Sequence, residues 1–577
     1  MNIFDIFRKR KEIPAPWQKY YTDEELNFEL PNISIYDTLR IATNRYKKMT
    51  ALQYMGKNIS YVNMMKNIEA AAKSFSRLGI KKGDIVTICL PNVPEALYAL
   101  YALNKLGAIG AMVHPLSAEE EIKRDLLSTK SKYLIMMDMF YEKIENTIWS
   151  TDVKKVIFVS AADTLGGFIS TCYNLTQLNK FKHHPPHPMF ISWRKFIKIG
   201  KKDPIVEYKR YGKNTPAVIL HSGGTSGTPK NVVIQNRAFV LLTKQAPIIL
   251  KKLNPGDTVI SILPNFHGFG LAITQYAPLS IGVKCVLIPK FDGSKFDVLF
   301  NKVKPNVLLG VPTLFEALTK SNNIKDLDLS YVKYAISGGD ILTKNLEDRV
   351  NEYFKQHNCN TKIVQGYGMT EALSAVCLGL EEHYKSGSIG IPLPTNNIKI
   401  VDPATMKTMP YGEVGEICIN NKGLMMGYLN QESETNEALR MHDDGHIWLH
   451  SGDLGYMDED GFVFVKGRSK RMIITSGYNV YPSHVEEVIE SHPAVLQCTV
   501  VGVPHPYKQE AVKAFIVLRE GYKWLFVKKD IQDYCKKNLA KYMVPSEYVR
   551  RKALPKTKLG KVDFKALQSD IGADDND

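Results

Sequence analysis

Ala217-Val218-Ile219-Leu220 runs without a break into His221-Ser222-Gly223-Gly224-Thr225-Ser226-Gly227-Thr228-Pro229-Lys230. The first four residues read as a buried strand. The next ten are mostly small, flexible or hydroxylic, and they end in a lysine. Glycines 223, 224 and 227 let the backbone approach a ligand and turn successive N–H groups into one concavity. Ser222, Thr225, Ser226 and Thr228 add hydroxyl donors, and Lys230 adds positive charge. A polyphosphate suits such a loop. It is not a Walker A loop, which ends in Gly-Lys-Ser/Thr, because Lys230 lies between Pro229 and Asn231. A flexible linker is the plain alternative, and the strand directly before the loop speaks against it.

Outward from this loop the pattern alternates. Upstream, Ile85–Leu90 and Lys155–Ser160 are short β-branched runs flanking helix-like Glu119–Ser128. Downstream, Thr258–Leu263, Lys284–Pro289, Val307–Val311 and Tyr334–Ser337 read as further buried strands. Strands alternating with helices imply parallel βαβ layers and an α/β fold. The longest apolar stretch, Ala96–Leu116, contains Asn104, Lys105, His114 and Pro115, all costly in lipid. It reads as a buried helix over Pro94–Leu106 followed by a core strand over Ala108–Val113, not as a membrane span.

The chain has 577 residues, too many for one compact core, which predicts two or more domains. The composition changes near Arg468, and a boundary is expected at Lys470. After it come a helix (Ser483–Ser491), strands (Gln497–Val503, Val512–Leu518), a second helix (Phe526–Leu539) and a basic region. Lys and Arg number 75 against 59 Asp and Glu, a surplus of 16. That favours nucleotides, coenzyme A or an anionic membrane face. Nucleic acid is not expected, because no recognition-helix, zinc-finger or RNA-reading pattern accompanies the charge. Eight cysteines without a C-x-x-C pair fit a reducing compartment, and residues 1–14 lack a secretory pattern. A cytoplasmic location is expected, with contact at the inner membrane face left open.

Residues 161–208 break the alternation as a basic insertion. His183, His184 and His187 crowd a proline-rich loop, where a metal site and solvated histidines both remain open. In Met189–Ile199, Phe190, Trp193, Phe196 and Ile197 share a helical face, with Arg194, Lys195 and Lys198 elsewhere. A membrane-surface helix and a helix docked on its own domain both fit. Ile3, Phe4, Ile6 and Phe7 before Arg8-Lys9-Arg10-Lys11 give a weaker version of the first.

Further motifs follow in order: Ser337-Gly338-Gly339-Asp340, Gln365-Gly366-Tyr367-Gly368-Met369-Thr370-Glu371, Ser451-Gly452-Asp453, Gly467-Arg468 and Pro555-Lys556-Thr557-Lys558-Leu559-Gly560-Lys561. Singly each is a common turn or a basic surface. As an ordered set with the loop at 221–230, they make the chain resemble the adenylate-forming superfamily. Its acyl-CoA synthetases, and among them the bacterial fatty-acid ligases, are the nearest match.

The resemblance implies a large N-terminal domain, 1–469, of doubly wound sheets plus a β-barrel-like part. A small mobile α+β domain, 470–577, would carry the catalytic lysine. It implies ATP and Mg²⁺, with coenzyme A as thiol acceptor. Tyr367 would pack on adenine beside Gly338, Gly339 and Asp340. Thr370 would contact the α-phosphate and Glu371 would hold the metal. Asp453 would accept from both ribose hydroxyls, and Arg468 would reach the ribose or phosphates. Lys561 would bond the carboxylate and α-phosphate. Lys470 would be the hinge, Gly477 and Tyr478 would line the thiol path, and His267 would stand beside the acid. A medium- or long-chain fatty acid is the first choice. Aryl acids, a carrier-protein acceptor and an inactive nucleotide-binding scaffold are the alternatives. Asn231, Asn236 and Arg471 depart from the family pattern, which usually has glycine, histidine and an acidic residue there. Oligomeric state is not legible.

Overall fold

The computed structural model describes residues 14–166, 173, 184–202, 210–222, 230–324, 326–373, 375–475, 478–505, 507, 509–557 and 561–570. Two large sheets dominate. The strand Pro216–Ser222 lies inside an eight-stranded sheet, paired in parallel with Ile109–Met112 and antiparallel with Lys230–Gln235. Ile85–Cys89, Tyr133–Met137, Lys155–Val159 and Phe190–Ser192 extend the parallel run. The nine-stranded sheet has a parallel centre made from Thr258–Ser261, Lys284–Leu287, Val307–Gly310, Tyr334–Gly338 and Ile363–Tyr367. Such strands are covered on both faces, which is why they read as continuous apolar runs.

The helix Pro94–Lys105 is buried along its whole length. A helix buried on every face is a core element. One hydrophobic core joins it to residues of both large sheets, from Ile88 and Val218 to Val259 and Ile336. Its polar Asn104 is satisfied inside the core by Asn236. The Asn236 carbonyl accepts the Ile35 N–H at 2.9 Å and the Asn104 amide at 3.0 Å, while its own amide donates to the Thr215 hydroxyl at 2.9 Å. The departure at 236 is thus a buried amide joining three segments.

A third sheet is antiparallel, built from Asn397–Val401, Gly415–Asn420, Ile447–Met457, Leu439–Met441 and Val463–Arg468. The fourth, with Ile473–Thr475, Tyr478–Val480, Val495–His505, Gln509–Leu518 and Glu547–Arg550, has its own apolar cores. One short turn, Ser469–Arg471, separates these last two sheets. No helix among the described residues is long and apolar enough to cross a membrane.

The insertion differs from the single amphipathic helix allowed by its sequence. Phe190 lies in an edge strand, and the helix begins at Trp193 and runs to Lys202. Its apolar face is not free for lipid, because Trp193, Phe196 and Ile197 are buried. The helix docks on Tyr61–Arg77: Phe196 meets Phe75 at 4.8 Å, and the Gly200 N–H donates to the Ser74 hydroxyl at 2.9 Å. Gly200 makes this approach possible, since a Cβ there would stand 1.9 Å from the Ala70 carbonyl oxygen. His184 stacks on Phe158 at 4.5 Å and His187 meets Trp149 edge-on, so both pack as rings. His183 and the apolar residues 3–7 lie outside the described residues.

Phe196→Ala should therefore cost about 3–5 kcal/mol, the usual penalty for emptying a buried phenylalanine site. Urea unfolding followed by tryptophan fluorescence measures it. An unchanged midpoint would show that the helix is not docked in solution.

Candidate active site

Parallel α/β sheets bind ligands beyond the carboxyl ends of their strands, and the motif residues of both large sheets collect there. Ser222, buried, ends its strand and pairs across the sheet with Lys230. That pair closes the base of the glycine loop. Gly223, Gly224, Thr225, Ser226, Gly227 and Thr228 themselves lie outside the described residues. The Lys230 ammonium sits 4.5 Å from the centre of the Tyr428 ring. The Tyr428 hydroxyl donates to Glu371 Oε1 at 2.9 Å. Glu371 is buried in the short turn Thr370–Ala372, and its carbonyl accepts the Met425 N–H at 2.7 Å. The departure at Asn231 is tethered, its amide donating to the Ser128 hydroxyl at 2.8 Å.

Asp453 is the centre of the polar geometry. The Tyr367 hydroxyl donates to its Oδ2 at 2.6 Å, and Arg468 Nε lies 2.7 Å from its Oδ1. Asp453 and Arg468 face each other across adjacent antiparallel strands. Burial raises the Asp453 pKa, while the Arg468 charge and the tyrosine bond pull it down. Burial and the neighbouring carboxylate push the Tyr367 phenol well up, so it stays a donor. Gly338 and Gly366 sit side by side in their strands, and Gly339 takes a left-handed φ of +82° at the turn into Asp340. A Cβ at Gly338 would press on the Phe269 ring at 3.1 Å.

Lys561 comes from the far end of the chain. Its backbone is tied to the preceding segment by the Lys556–Val562 bridge and by the Thr557 N–H donating to the Lys561 carbonyl at 2.7 Å. Burial lowers its pKa most. Asp340 and Asp453 raise it, and Arg468 lowers it. The lysine thus shares one charged space with three motif residues separated from it by about a hundred positions or more.

The same space holds His267, whose pKa is held down at about 3 by burial, then by Lys561, His114 and His221. His267 is therefore neutral near pH 7. His114, which sequence reasoning read only as a residue costly in lipid, stacks on Phe266 at 4.2 Å. Its signal is a histidine–proline pair directly after a core strand. His221, quoted above but given no role, is lowered to about 4 by burial. Its Nδ1 stands 3.6 Å from the Asp125 carboxylate, whose pKa burial pushes up to about 7. A polar residue at the carboxyl end of an apolar strand was its signal.

The remaining expected residues lie elsewhere. Lys470 sits in the Ser469–Arg471 turn. Arg471 meets Glu486 at 3.2 Å and covers the Phe564 ring, so an acidic residue on the next helix answers this departure. Tyr478 is exposed on the C-terminal sheet and stacks on Tyr542 at 4.6 Å. Gly477 is outside the described residues.

The His267 environment gives a pH test. In the unfolded chain its pKa returns to about 6.5, so the unfolded state takes a proton that the folded state refuses. This contribution to stability is intact above pH 6.5 and is lost as pH falls toward 3, with a slope approaching about 1.4 kcal/mol per pH unit. His267→Asn should be less sensitive by up to that slope when unfolding free energies are compared at pH 7, 6 and 5. Parallel curves for the two proteins would mean the imidazole titrates normally in the folded state.

Comparison with known proteins agrees with this geometry. The AMP-binding enzyme family model matches residues 39–429, and the AMP-binding enzyme C-terminal domain model matches residues 484–561. A long-chain-fatty-acid–CoA ligase of Bacillus subtilis is 31% identical over 554 residues, covering 95% of this chain and 96% of the relative. A probable 4-coumarate–CoA ligase of Dictyostelium discoideum is 33% identical over 480 residues, covering 82% of this chain and 83% of its own. The fold also matches the crystal structure of an anthranilate CoA ligase bound to anthranoyl-AMP, with a TM-score of 0.81 at 22% identity over 94% of this chain and 98% of that one. With one family model matching residues 39–429, well over half of the chain, and its C-terminal companion matching 484–561, the chain belongs to the AMP-binding enzymes.

Proposed function

We infer that this enzyme is an ATP-dependent acyl-CoA synthetase. The carrying observation is the Tyr367–Asp453–Arg468 cluster, whose charges act on a buried Lys561 that in turn helps to keep His267 neutral. In the first half-reaction the acid's carboxylate attacks the α-phosphorus of ATP and pyrophosphate leaves. Lys561 supplies an ammonium where negative charge accumulates, in a site that burial makes electrostatically strong. Tyr367 lies over adenine, and Asp453, fixed by Tyr367 and Arg468, accepts from the ribose hydroxyls. A neutral His267 offers the acid a hydrogen bond without competing with Lys561 as a cation. In the second half-reaction the thiol of coenzyme A attacks the acyl adenylate and AMP departs.

The donor set fits Mg²⁺. Glu371 is a hard carboxylate with Oε1 fixed by Tyr428, and hard oxygen donors suit a hard cation. Bound there beside Thr370, the metal would neutralise phosphate charge. The reading divides the chain at Lys470, with residues 1–469 holding ATP and acid, and 470–577 bringing Lys561 and then, after rotation, Gly477 and Tyr478.

Medium- or long-chain fatty acids are the first substrate class. The Bacillus relative that supports this choice spans nearly the whole chain. The coumarate relatives support a cyclic acid as the second reading.

AMP release from MgATP across a panel of acids, with and without coenzyme A, tests the proposal. Coenzyme-dependent release peaking at one aliphatic length is expected. A peak with an aryl acid would keep the mechanism and change the substrate, and acid-dependent pyrophosphate exchange without coenzyme turnover would replace coenzyme A by another acceptor. Lys561→Ala should lower adenylation by about 10²–10³-fold, the usual loss for one transition-state charge contact, with ATP affinity little changed. Full activity in that variant would remove Lys561 from the mechanism.

A further inference from the structure

Behind Asp453 lies a buried polar chain that the reaction described above does not use. Strand Gly415–Asn420 pairs with strand Ile447–Met457 so that Glu416 faces Leu454 and Cys418 faces His450. Three residues on one side, Ser451, Gly452 and Asp453, therefore stand opposite the single Ile417 on the other, and the two extra residues make a bulge in this ladder. Gly452 takes a left-handed φ of +69° at its crest. A bulge leaves backbone donors unpaired in the ladder, and buried donors need partners. Here side chains supply them. Glu416 Oε1 accepts the Gly452 N–H at 2.9 Å, and the Ser451 hydroxyl accepts the Asp453 N–H at 3.0 Å.

Glu416 is itself fixed from behind. Its Oε2 lies 2.8 Å from His450 Nδ1, and His450 Nε2 lies 2.9 Å from His442 Nε2. Both histidines are buried. An ionised carboxylate only accepts, so His450 donates to it from Nδ1, and in the neutral ring Nε2 is then the acceptor. His442 must then donate from Nε2. One hydrogen on each ring gives a chain with a single direction, His442 to His450 to Glu416, which meets Gly452 from the other side.

Cys418, His442 and His450 also stand close enough together to suggest a metal site, with ligand atoms within 4.8 Å of one another. The geometry disfavours it. Two nitrogens on one tetrahedral zinc ion stand about 3.3 Å apart, given bonds of about 2.0 Å, and these are at 2.9 Å. The Cys418 sulfur approaches His450 at Nδ1, 3.7 Å away, which is the nitrogen that Glu416 already occupies.

We propose that Glu416, His450 and His442 are positioning residues: their hydrogen-bond chain holds the 451–453 bulge and thereby sets the Asp453 carboxylate for the nucleotide's ribose. This rests on the reading of Asp453 as the ribose acceptor. His442 is the informative member, since it acts through two other side chains and lies eleven residues before Asp453 in sequence.

Calorimetric affinities for ATP and 2′-deoxy-ATP, measured on the full chain, test this without knowledge of the acid. The variants are Asp453→Ala, His442→Leu, His442→Gln and Glu416→Gln. His442→Leu removes the donor and should weaken ATP binding and the preference for ATP over the deoxynucleotide by about tenfold, as expected when a site built to bond a hydroxyl loses its geometry. His442→Gln keeps an N–H for His450 and should stay near the wild type. Glu416→Gln keeps shape, but its single amide oxygen can accept from His450 or from Gly452 and its N–H₂ then faces the other donor, so it should lose the preference like His442→Leu and serves if that variant does not fold. An undiminished preference in His442→Leu or in Glu416→Gln, with Asp453→Ala impaired, would overturn the chain as a positioning device. Equal losses in His442→Gln and His442→Leu would do the same. If Asp453→Ala itself keeps the preference, the ribose reading fails and this proposal fails with it.

Discussion

A carboxylate removed from water has to be paired, and in this chain that demand falls hardest on Asp453. Its partners come from different places. Tyr367 ends a strand of the nine-stranded sheet, and Arg468 ends the last strand before the turn at 469–471. Behind it stands Glu416, from a neighbouring strand of its own sheet. A buried acid left with one partner missing is costly. The packing of the third sheet against the second, and the exit of the chain toward the C-terminal sheet, are therefore tied to one side chain. That tie places a tyrosine ring, a carboxylate and a guanidinium within one nucleotide's reach.

The large sheets supply the floor for this group. Their parallel strands need cover on both faces, and the wholly buried helix Pro94–Lys105 supplies part of it. Because the strands run the same way, their carboxyl ends collect Ser222, Gly338 and Tyr367 at one edge. Chemistry concentrates there because backbone groups at strand ends have left the ladder and are free to serve a ligand. The glycines at 338 and 366 are needed where two neighbouring strands and the Phe269 ring crowd the same edge.

The strands were legible because burial on both faces leaves a signal that does not depend on distant residues. Lys284–Leu287, Val307–Gly310 and Tyr334–Gly338 fall within one residue of the apolar runs or, for the first, two. The helix at 94–105 was legible for the same reason. The insertion was not: amphipathicity states that a face is covered, not what covers it. Only the close approach allowed by Gly200 shows that the cover is the helix Tyr61–Arg77. The departures at Asn231, Asn236 and Arg471 looked like weaknesses as isolated letters. Each has a partner brought from elsewhere, Ser128, Asn104 with Ile35, and Glu486. The chain from His442 to Gly452 was invisible because it depends on a register shift, which no periodicity encodes.

Two arginines flanking the turn between the last two sheets have opposite allegiances. Arg468 is held by Asp453 within the third sheet. Arg471 is held by Glu486 and the Phe564 ring in the body that carries Lys561. Between them lie Ser469 and Lys470. A rotation of the C-terminal part that preserved both pairs would have to take up its change of direction in those residues, since moving the pivot either way would break an ion pair. If the C-terminal part rotates as proposed, this is a physical reason for the hinge to be short and to lie at Lys470. Lys561 would then leave and return along an arc fixed at one end, so that the lysine's place over the charged site is set by a pivot that the site itself anchors.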